Sequence, residues 1–252
     1  MSNYKVSIKI LSVLTELAKA GNTNITTSLE TVFGEIFGQH LSWRYSSLYQ
    51  KVQLSTALLK LVLELLQSPK MSGAMIELFR TNEVICRILL TLSCLNSDEI
   101  DETASTSEYF TGLLIEQVSR SFTILELLLE KLQDEKESKL MVLFTRRTEN
   151  DSVCGFILKA VSGFIFHKSN SDLPFVAIRL LRRLCYLDQI SLNATLGSYV
   201  FQLRNNLITK MVENERLQNC VIELLATIAE YQPSLLEIFV DLVDDKDNPG
   251  NL

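Results

Sequence analysis

Apolar residues recur every three to four positions through most of the chain, the pattern of helices burying one side. Val6, Ile10, Val13, Leu14 and Leu17 predict a helix over 4–20, and Gly21 follows where a left-handed stop belongs. Thr27 and Glu30 form a capping box ahead of a short helix bearing Leu29, Val32, Phe33, Ile36 and Phe37, expected to pack back on the first. A long helix over 46–66 presents Leu48, Val52, Leu58, Leu59, Val62, Leu65 and Leu66 before Pro69. Ser72 is read as the cap of a helix reaching Phe79, and Asn82 as the cap of one carrying Val84, Ile85, Ile88, Leu89 and Leu92. The longest predicted helix, 108–133, carries Tyr109, Leu113, Leu114, Val118, Phe122, Leu125, Leu128, Leu129 and Leu132. Leu140 to Phe144, then Val153, Phe156, Ile157, Ala160, Val161, Phe164 and Ile165, continue the series, and Asp172 with Pro174 opens another helix. Sustained period-two alternation is missing, so almost no sheet is expected. The acidic segment 96–107 offers little to bury and reads as a mobile loop.

The last third repeats itself. Residues 177–185 align with 221–229 at an offset of 44, and the same offset carries Leu192 onto Leu236, Ala194 onto Ile238 and Leu196 onto Val240. Such an offset is typical of stacked helix pairs of the HEAT or armadillo kind, whose faces are buried only against neighbouring pairs. The expected fold is therefore all-α, a right-handed α-solenoid of five or six irregular helix pairs. It runs as one continuous segment over 1–243, with a polar tail at 244–252. Leu181 and Leu225 share a repeat column and are expected in the core.

Composition narrows the function. The chain is 47% apolar with only 9 Gly and 4 Pro in 252 residues, which suits long helices. A net charge of −6 argues against a nucleic-acid surface and for a protein-binding one. Cys86, Cys94, Cys154, Cys185 and Cys220 occupy apolar helical positions without a close pair, and all five read as core thiols. The start lacks the pattern of a signal peptide, and no apolar run approaches a membrane span, so a soluble intracellular protein is expected. Under that reading the triplets at Asn24, Asn150 and Asn193 are chance glycosylation matches.

His40 and His167, each assigned to a loop, have no ligand spacing, so no metal or cofactor is expected. Catalytic signatures are missing, which makes an enzyme or a small-molecule substrate an unsupported reading. Trp43 beside His40 and Arg44 is either an exposed binding spot or, the preferred reading, an anchor at a helix start. The basic constellation is Arg179, Arg182 and Arg183, spaced to share one side of a helix. It could grip an acidic partner segment through bidentate pairs, or simply form a solvated face opposite Glu223 of the next repeat.

Leu173-Pro174 through Leu184, Ser191-Leu-Asn-Ala-Thr-Leu-Gly197, Arg204, Val221-Ile-Glu-Leu-Leu225 and Gln232-Pro-Ser-Leu-Leu-Glu-Ile-Phe-Val-Asp-Leu242 together resemble the large scaffold nucleoporins of the nuclear-pore inner ring. The 188-kDa class is the nearer likeness, and the 205-kDa class shares its architecture. The resemblance implies part of a long α-solenoid at the nuclear envelope, with structural and transport roles and no catalytic residue. It implies partners among inner-ring nucleoporins, notably a helix of the 93-kDa class, and contacts with transport receptors or Phe-Gly repeats. A soluble HEAT-type adaptor binding a peptide outside the pore is the alternative.

Overall fold

The computed structural model describes residues 3–21, 29, 32–43, 47–95, 97–104, 107–144, 153–165, 167, 172–186 and 215–234. The Thr27–Glu30 box, the three asparagine triplets, the Cys154 side chain, the matches from Leu192 onward and the tail lie outside them. Among the described residues every regular element is helical. The chain divides into two compact units, Met1–Val153 and Cys154–Leu252.

The first unit contains α1 (Asn3–Lys19), a π-helical turn (Val32–Phe37), a 3-10 turn (His40–Ser42), α2 (Leu48–Gln67), α3 (Ser72–Thr81), α4 (Glu83–Leu92), α5 (Ser97–Ala104), α6 (Glu108–Leu132) and α7 (Lys139–Phe144). α2 packs against both α1 and α6, and α4 packs against both the π turn and α7. The three long helices run parallel. Tyr4 donates to Gln53 near the amino ends of α1 and α2, while Ala18 and Lys19 share a cleft with Glu64 and Gln67 near the carboxyl ends. Tyr49 lies tilted, 6.0 Å from both Tyr109 and Phe110, at the start of α2 and α6, and farther along both helices Arg120 Nη1 donates to the Thr56 carbonyl at 2.7 Å. α3 packs against α2, α6 and α7, and α4 also meets α6.

Caps fix where these helices begin. Ser47 accepts from the Gln50 amide while the Gln50 side chain accepts from the Ser47 amide, a complete capping box. Asn82 Oδ1 accepts from the amides of Val84 and Ile85, as expected, and Ser107 accepts from Phe110. Ser72 does not cap α3: it is the first helical residue, and Met71 holds the cap position with no side-chain bond. Gly21 at φ +69° terminates α1 in the left-handed conformation the sequence anticipates.

Several buried faces differ from expectation. α1 turns Ser7, Leu11, Leu14, Thr15 and Ala18 inward, leaving Val6, Ile10 and Val13 exposed. The helix carries two adjacent apolar stripes, and α2 covers only one. Leu48, Val84, Tyr109 and Phe156, all predicted to be inward, are exposed. Each lies in the first turn of its helix, where the Cα–Cβ bond points toward the amino end and carries the side chain past its neighbours. The π turn has α4 and the 3-10 turn as its principal neighbours rather than α1. The acidic stretch expected to be a loop forms α5, packed on α6 through Ile100, which is fully buried. Cys86 and Cys185 are buried as expected, but Cys94 is exposed and Cys220 half-buried.

The second unit contains α8 (Val153–Ile165), α9 (Asp172–Leu184) and α10 (Glu215–Tyr231), with α9 packed on α10. Asp172 lies 3.7 Å from Arg216, Arg182 pairs with Glu223, Tyr186 meets Tyr231 edge-on at 4.4 Å, and Gln232 Nε2 donates to the Cys185 carbonyl at 2.7 Å. These partners are separated by 44, 41, 45 and 47 residues, so α9 and α10 are parallel neighbours at the offset read from the sequence. The column that closes the contact is Leu173, Ala177, Leu180 and Leu184 with Leu217, Val221, Leu224 and Ile228, all buried. Leu181 is buried, whereas Leu225, expected to match it, is only half-buried.

Candidate interaction surface around Phe175

Asp172, Phe175, Arg179, Arg182 and Arg183 project from α9 at spacings of three and four, and the parallel register brings Arg216 and Glu223 of α10 beside them. Arg216 places its guanidinium carbon 3.7 Å above the Phe175 ring centre, and Arg179 lies 5.6 Å from the same ring. Both distances fall within cation–π range, which orients the planar groups on the ring. Arg216 also approaches Asp172, and both side chains are mostly exposed, so that pair contributes at most about 1 kcal/mol.

The three arginines predicted as a partner site do lie on one helix, and each is half-buried. They are not equivalent. Arg182, the most enclosed of the measured pair at 23% exposure, is committed to Glu223, the neighbour expected opposite it, while Arg179 rests on Phe175. The sequence reading missed Phe175 and Arg216. Arg216 was within reach, since it lies 44 residues after Asp172.

A second polar feature lies in the first unit. His40, expected in a loop without a partner, is fully buried, with Nδ1 3.0 Å from the Phe37 carbonyl and Nε2 2.7 Å from Ser55 Oγ. A carbonyl only accepts, so Nδ1 carries the proton and Nε2 accepts from the serine hydroxyl. Burial holds the imidazole pKa below its ordinary value, opposed by the backbone bonds at Phe37 and Ile36. This neutral ring ties the 3-10 turn to α2, a structural role. His167, also expected in a polar turn, is buried beside Phe164. Trp43 is half-buried and ends the 3-10 turn just ahead of α2.

Among the described residues no three His, Cys, Asp or Glu side chains gather as metal ligands, and no helix is long and apolar enough to cross a membrane. No family model matches the chain. It is similar to nucleoporin NUP188 of Xenopus tropicalis, 23% identical over 271 residues, which cover 98% of this chain and 16% of that protein. Human NUP188 is likewise 23% identical over 266 residues, covering 95% of this chain and 15% of its own. The chain thus spans about a sixth of the length of the curated relatives it matches. Over nearly its whole length it is a distant, consistently aligned likeness of NUP188.

Proposed function

We propose that this chain is part of a nuclear-pore scaffold and works by binding other proteins, without catalysis. The observation carrying the reading is the NUP188 likeness across 98% of the chain, far more than the stretch whose wording suggested it. Parallel packing of successive helices in each unit supports the finer reading, a right-handed solenoid of HEAT-like pairs continuous over 1–243. In this reading the protein resides at the nuclear envelope, contributes to nucleocytoplasmic transport, and meets inner-ring nucleoporins, a 93-kDa-class helix among them. In this reading Arg179, Arg182 and Arg183 of α9, with Arg216 beside them, form the positive side that an acidic segment of such a partner would meet.

Two measurements test this. The fluorescently tagged chain should give a nuclear-rim signal, and purification from cross-linked cells should enrich inner-ring nucleoporins. Diffuse cytoplasmic signal with a nucleoporin-free eluate would overturn it in favour of an adaptor outside the pore. Arg183→Glu combined with Arg216→Glu should weaken nucleoporin capture while leaving the helical circular dichroism unchanged.

A further inference from the structure

At the amino ends of α2 and α6 an aromatic patch faces solvent. Leu48, Tyr49 and Tyr109 are exposed by 67%, 38% and 62%, with the half-buried Phe110 beside them. Tyr49 lies 6.0 Å from both rings of α6 and is hydrogen-bonded to Tyr109, which holds the two phenols side by side. Gly112 follows one turn after Tyr109 on the same side of α6. It is exposed, and a β-carbon built there would meet nothing within 4 Å. Glycine is the least favourable residue after proline in a helix interior, and no contact within the chain requires it at this position. Its bare backbone leaves room for close approach from outside.

Charge selects the occupant. Between Arg87 and Arg120 the sequence has six acids, Asp98, Glu99, Asp101, Glu102, Glu108 and Glu116, and no Lys, Arg or His. Arg120 is engaged by Glu116 and the Thr56 carbonyl, and Lys51 by the Leu41 carbonyl. Even counted in full with Lys5 of α1, and with about half a positive charge at the start of each of α2, α5 and α6, these cations fall short of the six acids. Glu102 and Glu108 are exposed. Tyrosine faces attract a guanidinium, whose planar fork then suits carboxylates at the rim.

We propose that Tyr49, Tyr109 and the open backbone at Gly112 form a docking surface for an arginine-rich protein segment, with guanidinium groups over the tyrosine rings and Glu102 and Glu108 accepting their N–H groups. This depends neither on the arginines of α9 nor on the pore reading.

Fluorescence anisotropy of a labelled peptide of alternating arginine and glycine, titrated with the full chain, tests it. The peptide should bind with a dissociation constant on the order of 0.1 mM, and its counterpart with citrulline in place of arginine should not. Tyr109→Leu, which alters no charge, and Gly112→Leu, which fills open space, should each weaken binding about tenfold with unchanged circular dichroism. Glu102→Gln with Glu108→Gln should weaken it as well. Asp134→Asn with Glu137→Gln, which removes as much charge at exposed positions after α6, should not. A wild-type chain that fails to bind the peptide up to about 0.5 mM, five times that constant, overturns the proposal. So does binding indifferent to Tyr109→Leu and Gly112→Leu, or an equal loss in the two charge-removing pairs, which would mark unspecific attraction to an acidic protein.

Discussion

At the scale of single residues, burial and hydrogen bonding set the sensitivities. His40 is held neutral between the Phe37 carbonyl and Ser55, with its pKa below the ordinary value of about 6.5. A folded-state pKa lowered in this way contributes stability that is present above the unfolded value and lost as pH falls through 6.5 toward the folded one. Urea midpoints should therefore drop between pH 7.5 and 5.5, and His40→Asn should be less stable but flatten that dependence; an equal slope in both proteins would refute the assignment. Leu180 and Leu224 are fully buried, so Leu→Ala at either should cost about 2–5 kcal/mol by urea unfolding. Leu225→Ala, at a half-buried site, should cost well under half as much. The offset of 44 was legible because apolar identity repeats, yet the exact column was not, because Leu180-Leu181 and Leu224-Leu225 are adjacent leucines. Only the neighbouring helices decide that both leucines of the first pair are buried but only Leu224 of the second.

At the scale of elements, position and length were written plainly in the periodicity, and the ends in the caps. Ser47→Ala should destabilise by about 1 kcal/mol, since it removes the hydroxyl that accepts from the Gln50 amide at the start of α2. Ser72→Ala should stay within about 0.5 kcal/mol, because no side-chain cap is lost. Thermal unfolding of the two variants side by side separates the cases. What periodicity could not convey is which of two stripes a helix buries. α1 shows this in Val6, Ile10 and Val13, and α5 shows the converse, a helix secured by Ile100 in a stretch whose acids argued for a loop. The arginine site was similarly half-legible: its spacing put three guanidinium groups on one face, but the partner choices of Arg182 and Arg179 come from Glu223 and Phe175.

At the scale of the molecule, stability should be graded by how many neighbours a helix has. α2 and α6 bury more than α1, and α5 is tied down mainly by Ile100. Amide exchange should accordingly be slowest in the middle of α2 and α6, faster in α1 and fastest in α5. Uniform protection across these four helices would contradict that grading. The likeness to NUP188 spans 98% of the chain, so the compared stretch includes both units and not one alone.

The parallel register also bears on how the protein is made. Its inter-helix bonds join residues 64 apart at Arg120 and Thr56, 55 apart at Arg80 and Glu135, and 47 apart at Gln232 and Cys185. A growing polypeptide thus completes each contact within a few dozen residues of synthesising its first partner, and loop closure over such spans is modest. Each later partner thus leaves the ribosome while the earlier one is close by, so a nascent chain can gain structure stepwise without exposing its leucines for long.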